Sequence, residues 1–334
     1  MAKEYLLSEK GNDYRANLHC HTNLSDGKVS PERIKELHIE KGYSIVAYTD
    51  HDVFIPHHKE LSDENFLALN AFEAEFIDLN EIRRKRRTTH LCLIALDENI
   101  VNQPCFHRTE FLYYAPESSR DMVKYDENEP DFNRDYNPET VREFMRKCKE
   151  KGFFITYNHP AWSLETFEQY GTYEEMDALE IINGGCDIYD GMHDFNHRDY
   201  ELFLRQGKRI FAVAGDDTHR AEGIGFGWTV IRAPKLTYKD VCDSLKNGNF
   251  YATSGPEIKS LYIEDGVVHV ETSEAKSIYF NTAVRHAKKI FNEDGTAVNS
   301  GSFELNYEED EYIRVTVIGM DGSICYSNAY FLDK

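Results

Sequence analysis

The chain has 334 residues, with 59 acidic side chains against 38 basic ones and a formal net charge of −21. A surface that negative repels a phosphate backbone, so stable binding of long DNA or RNA is not expected. No apolar run approaches the roughly 18 residues that a membrane helix needs, so no membrane span is expected.

The N-terminal stretch MAKEYLLSEKGNDYRANL is charged and has no apolar core, so no secretory signal is expected. Residues 14–21, YRANLHCH, then read as a strand. The segment SPERIKELHIEKG reads as a helix, with Ser30 as N-cap, Pro31 in its first turn and Gly42 at its end. YSIVAYTDHD, NFLALNAFEAEF and HLCLIALD are the next strands. Residues 98–137 are polar, aromatic and irregular, and are expected to form a long insertion in one βα loop. PETVREFMRKCKEKG is a helix and FFITYNHP the strand after it. ALEIIN, a helix over 191–207, RIFAVAGDDTH, GFGWTVIRAP, the helix YKDVCDSLKNG and NFYATSGP complete the series. Such βα alternation predicts a parallel sheet, open or closed into a barrel. From residue 257 the pattern changes to short alternating strands with ED-G and MD-G turns, which predicts a small all-β, sandwich-like domain. The expected domains are therefore 1–256 and 257–334. The seven cysteines are irregularly spaced and form no CxxC pair, which suits free thiols in a reducing cytoplasm.

The ionisable residues at strand ends carry the functional signal. His19 and His21 end the first strand, and a period of two puts them on one face. Asp50, His51 and Asp52 end the second, and Glu73 lies near the end of the third. His90 flanks LCLIALD, His159 ends FFITYN, and Asp217 and His219 end RIFAVAGD. In parallel α/β folds, sites form at the carboxyl ends of the strands. Imidazole with carboxylate, and no thiolate cluster, suits Zn, Mn or Fe. The ligands are too many for one tetrahedral ion and suit two or three ions sharing a carboxylate.

The motifs HCHTNLSDG, YTDHD, AFEAE, NHP and GDDTH resemble those of the PHP (polymerase and histidinol phosphatase) family over roughly residues 14–255. NFYATSGPEI and the β-rich tail resemble members with a small C-terminal β domain. The resemblance implies a distorted seven-stranded, TIM-like (βα) barrel with a trinuclear metal centre that hydrolyses phosphoesters. It implies that His19, His21 and Asp217 bind one ion, that Glu73 bridges to a second held by His90 and His159, and that Asp26, His51 and His219 bind a third. Two positions depart from the family: Ala71 stands where a glycine is usual, and Asp216 where serine is frequent. Asp216 is expected either to hydrogen-bond a ligand histidine or to tune its charge.

The expected chemistry is hydrolysis of a small phosphorylated metabolite or nucleotide, with inorganic phosphate as product. Glu73, Asp217 and His219 would act through metal activation of water. Arg220, Arg108 and His193 are candidate substrate contacts, with His193 and His197 on one face of the 191–207 helix. The basic run RRKRR at 83–87 could steer an anion, and the insertion could lid the site. Cys20 reads as packing between the two ligands. The alternatives are a metal-dependent amidohydrolase, an exonuclease on short oligonucleotides, and a non-catalytic metal-stabilised binding module. No lysine stands where an amidohydrolase would need its bridging one.

Overall fold

A computed structural model describes residues 3–332 apart from residue 194. The outermost residues of the two expected domains, 1–2 and 333–334, and one position of the expected 191–207 helix lie outside the described residues.

Strand β1 (Glu4–Leu7) precedes the α/β series. Then come β2 (Asn12–Asn17), α1 (Pro31–Glu40), β3 (Ile45–Tyr48), the single turn α2 (His58–Leu61), β4 (Leu67–Ile77) and β5 (Thr88–Ala95). The insertion contains one helical turn, α3 (Glu117–Arg120). It leads into α4 (Pro138–Glu150), β6 (Phe153–Tyr157), the turn α5 (Phe167–Tyr170), β7 (Ala178–Asn183), α6 (Gly184–Asp190) and α7 (His197–Arg205). β8 (Phe211–Gly215), β9 (Trp228–Ala233), α8 (Tyr238–Lys246) and β10 (Phe250–Thr253) follow. Ser30 caps α1 as expected, and two further helices start on caps of the same kind. Ser30, Asn137 and Thr237 each accept a backbone N–H from three residues on, at the starts of α1, α4 and α8.

The expected 191–207 helix is helical only over His197–Arg205, as α7, and α6 lies ahead of that span. α6 begins on the Asn183 cap and ends at Gly191, whose φ of +62 stops it. α7 starts only at His197, so His193 lies outside any helix and the two histidines share no helical face.

The large sheet runs β14-β13-β16-β17-β10-β9-β2-β3-β4-β5-β6-β7-β8, where β13 (Ser277–Thr282), β14 (Ala287–Ile290), β16 (Tyr312–Ile318) and β17 (Ile324–Ser327) come from the C-terminal region. The sheet is mixed rather than parallel. β2-β3-β4 and β6-β7-β8 pair in parallel, whereas β4-β5, β5-β6, β2-β9 and β9-β10 are antiparallel.

Nor does it close into a barrel. Among the described residues β8 is the sheet's free end, and only one bridge, Cys20 to Thr218, joins the chain beyond β8 to the chain beyond β2. Side chains supply the reason. The amides of Ala212, Ala214 and Asp216 donate to Asn328 Oδ1, Thr229 Oγ1 and Asn17 Oδ1 at 2.9, 3.0 and 3.0 Å. The donors a closing ladder would use are thus already satisfied.

The second sheet is β1-β11-β12-β15, with β11 (Ile258–Glu264), β12 (Val267–Ala275) and β15 (Val298–Glu304), all antiparallel. Its Leu261, Ile263, Val268 and Val270 pack with Ile278, Phe280, Val315 and Val317 of the large sheet into one buried cluster. A last pair, β18 (Tyr330–Phe331), edges β16. The all-β region is therefore tied in at both ends: β1 enters its small sheet, and β10 pairs with β17. Among the described residues no helix is long and apolar enough to cross a membrane. All seven cysteines are free and buried.

Candidate metal centre

One face of the curled sheet is apolar at one end and ionisable at the other, and strand alternation produces both halves. On β4, Leu67, Leu69 and Ala71 join a buried cluster with α8, and Glu73 and Glu75 continue the same row. β3 runs Ile45, Ala47, then His51 beyond its end; β5 runs Ile94, Cys92, His90; β7 runs Ala178, Glu180; β8 runs Val213, Gly215, Asp217. The apolar rows make the core, and the row ends meet in a cavity of about 470 Å³.

Glu73 is its hub. One carboxylate oxygen lies 3.2 Å from His19 Nε2, 3.1 Å from His90 Nδ1 and 3.5 Å from His159 Nε2. The other lies 3.3 Å from both His21 Nε2 and His51 Nδ1. Asp217 Oδ1 is 3.2 Å from the Nε2 atoms of His19 and His21. His219 Nε2 stands 3.3 Å from Asp26 Oδ1, and His51 Nε2 3.9 Å from Asp26 Oδ2. Four groups have ligand atoms close enough to share an ion: His19, His21 and Asp217; His19, Glu73 and His159; His51, Glu73 and His90; and His21, Asp26, His51 and His219. All nine residues expected as ligands are thus brought together.

The hairpin of backbone that carries Asp26 is shaped by Asp50. Its carboxylate accepts the Thr22 N–H at 2.7 Å and the Thr22 and Ser25 hydroxyls at 2.8 and 2.7 Å. Gly27 is needed there, since a Cβ would come within 2.7 Å of the His21 backbone. Gly215 is needed on β8, where a Cβ would meet His19 Cβ at 2.7 Å and Glu180 Oε1 at 2.9 Å.

The carboxylates and imidazoles of the cluster shift one another's titration. Burial opposes the charge on Glu73, but the imidazoles of His19, His90 and His51 overcome it and hold the carboxyl well below its ordinary range. Asp217 is held low in the same way by His19, His21 and His219 against its burial. In return, burial lowers His21, yet the adjoining carboxylates of Asp217 and Glu73 push it up to about 10. His51 is the exception: burial and the neighbouring His21 keep it well below its usual value.

A second layer holds these side chains. Glu180 Oε1 lies 2.9 Å from His19 Nδ1, Glu75 Oε1 lies 3.2 Å from His90 Nε2, and Asn158 donates to Glu73 at 3.1 Å. Glu180 was not among the residues expected from sequence, although a carboxylate two positions after inward-facing Ala178 in ALEIIN marks it. Asp216 does not touch a ligand histidine. It accepts the Tyr43 hydroxyl and the N–H groups of Gly225, Phe226 and Gly227, and so pins the loop before β9. Cys20 is fully buried among apolar side chains.

The cavity mouth is lined by Lys28, Tyr114, Trp162, Tyr189, Asp190 and Arg220 besides the ionisable cluster. Of the expected substrate contacts, only Arg220 lines it. Arg108 is spent on Asp131 and on the carbonyls of Glu127 and Glu129, and His193 pairs with Asp187 in solvent. The basic run forms the exposed tip of the β4–β5 hairpin, where Arg87 pairs with Asp78 and Arg86 with the Glu81 carbonyl.

Residues 204–250, which include Asp217 and His219, match the family model described as PHP-associated. No curated protein matches the sequence. Among solved structures, a two-domain protein from Bacteroides vulgatus, whose description predicts a PHP-like metal-dependent phosphoesterase, is 13% identical over 99% of both chains, with a TM-score of 0.45. A lesion-specific endonuclease from Pyrococcus furiosus is 15% identical over 70% of this chain and 56% of its own, at 0.40. An amidohydrolase from Chromobacterium violaceum is 14% identical over 61% of this chain and 87% of its own, at 0.36. At these scores the overall likeness is loose. The family-model match is confined to the segment that carries Asp217 and His219, the last pair of the cluster.

Proposed function

We propose that this chain is a metal-dependent phosphoesterase that hydrolyses a small phosphorylated metabolite or nucleotide and releases inorganic phosphate. The observation that carries this reading is a set of buried ligand atoms with no hydrogen-bond partner. His21 Nδ1, His51 Nδ1, Glu73 Oε2 and Asp217 Oδ1 are all of this kind, and all point into the cluster. Orphaned buried polar atoms are costly in a folded protein, and cations would satisfy them. The donor set fits the group: imidazole nitrogens and carboxylate oxygens without thiolate suit Zn, Mn or Fe.

In this reading His19, His21 and Asp217 would hold one divalent ion, His90 and His159 a second, and Asp26, His51 and His219 a third, with Glu73 serving the first two. Bound ions of this kind lower the pKa of water and neutralise phosphate charge. The chain's own residues do the rest. Glu180 and Glu75 hold the rings of His19 and His90 in orientation. Trp162, with ring centroids 5.3 Å from His90 and 5.1 Å from His159, walls one side against water. Tyr114, 4.7 Å from His51, walls the other. Lys28 and Arg220 put positive charge at the mouth of a protein that is otherwise strongly negative. That pattern favours a small anionic substrate over an extended one. We read the curled sheet as a barrel of the PHP type opened at β8, and the boundary near residues 256–257 as a domain junction across which β1 is lent to the C-terminal sheet.

The test is phosphate release from a panel of phosphomonoesters and nucleotides by metal-loaded protein. The reading expects turnover that is lost in His19→Ala. Absence of hydrolysis across the panel, with the metals bound, would leave a binding module instead.

A further inference from the structure

The 98–137 insertion reaches the metal cluster from behind as well as from its mouth. Asp52 directly follows His51 and has a φ of +61, a left-handed conformation uncommon outside glycine. Its N–H donates to the Glu73 carbonyl at 2.7 Å, and its Oδ1 accepts the Glu75 N–H at 3.2 Å. This turn fastens the end of β3 to the part of β4 that carries Glu73 and Glu75. Two insertion side chains complete the fastening. Gln103 Nε2 donates to the Asp52 carbonyl at 2.9 Å, while its Oε1 accepts the Phe54 N–H at 2.7 Å. Arg134 Nη1 donates to Asp52 Oδ1 and, at 3.2 Å, to the Glu75 carbonyl.

The side chains of Arg134 and Asp52 are each only 1% exposed. The guanidinium lies 5.9, 5.6 and 5.5 Å from the ring centres of Phe76, Phe111 and Phe144. Stripping water from an arginine is expensive, and a surface lid has no need of it. What this buried cation holds in place is the residue directly after His51, Asp52, and the Glu75 carbonyl of β4.

We propose that Arg134 and Gln103 are positioning residues for His51, so that the insertion sets the affinity of the ion held by Asp26, His51 and His219 without touching it. This rests on the metal-centre reading above. The chain contains its own control for a merely structural role. Arg314 and Glu201 form a second buried pair, between β16 and α7, with side chains 7% and 10% exposed.

The experiment titrates metal-free, full-length protein with Zn²⁺ against a chromophoric chelator, with circular dichroism on the same samples. Arg134→Gln and Gln103→Ala should each weaken the ion that His51 serves by about 10- to 100-fold and weaken the others by less. Arg314→Gln should keep wild-type affinities. Gln103→Ala leaves no charge buried, so it decides the matter if Arg134→Gln does not fold. Wild-type protein that takes up no Zn²⁺ overturns the metal reading and this proposal with it. Wild-type uptake with unchanged affinities in both insertion variants, or an equal loss in Arg314→Gln, overturns the positioning role alone.

Discussion

Glu180 stands behind His19, its Oε1 2.9 Å from the ring's Nδ1. Its other oxygen accepts the His159 N–H at 3.2 Å and the Asn183 side-chain amide at 2.8 Å. One carboxylate from the middle of β7 thus orients two ligands on different strands. With Nδ1–H directed at Glu180, His19 presents Nε2 to the cluster. Glu180→Ala should cost about 10- to 100-fold in metal affinity while leaving the circular dichroism spectrum intact. Dialysis against graded chelator followed by elemental analysis reads this directly. Unchanged retention would mean that His19 needs no such support.

Trp162 offers a spectroscopic report on the same site. It is one of two tryptophans, it packs edge-on against His90 and His159, and its Nε1 donates to Asp190 at 2.7 Å. The other, Trp228, stacks under Arg15, whose guanidinium is 3.5 Å from the indole ring centre. Adding Mn²⁺ to metal-free protein should quench the tryptophan emission, and Trp162→Phe should abolish most of that change. Quenching that persists in Trp162→Phe would place the bound ion elsewhere.

His38 predicts a pH dependence separate from the metal centre. Its Nδ1 lies 2.8 Å from the Ile34 carbonyl, which can only accept, so Nδ1 carries the proton. Nε2 then accepts from the Asn17 side chain at 3.0 Å, and the ring is neutral. Burial drives its pKa down to about 4, from an unfolded value near 6.5. The unfolded chain therefore binds more protons between those values, so stability falls as pH drops through them. The loss should reach roughly 2 kcal/mol at pH 5 relative to pH 7. Urea midpoints at both pH values, in chelator, should fall less for His38→Gln than for wild type. Equal falls would show that His38 is charged in the fold.

The cluster of histidines and carboxylates was legible because its signal is local. His19 and His21, or Asp217 and His219, need only a period of two and a strand end to be read as pairs. The helix cap at Ser30 is equally local. Features that depend on distant partners were not legible. Closure of the sheet turns on Thr229 and Asn328 taking amides of β8 that a neighbouring strand would otherwise pair. Asp216, next to Asp217 and three residues before His219, invited a role beside a ligand, yet its partners are Tyr43 and the loop before β9. Arg108 and Arg134 looked alike in an irregular insertion. Only packing separates the one spent on surface carbonyls from the one buried beside His51. Glu180 was within reach of sequence, had the inward row of β7 been followed past Ala178.

The claim at the centre of this account is that Glu73 is shared between ions that together support phosphoester hydrolysis. The most direct measurement is metal stoichiometry and phosphate release on the same preparations of wild type and Glu73→Ala. The account predicts that Glu73→Ala loses more than one ion per chain and loses phosphate release with them. Full metal content or undiminished hydrolysis in Glu73→Ala would contradict it.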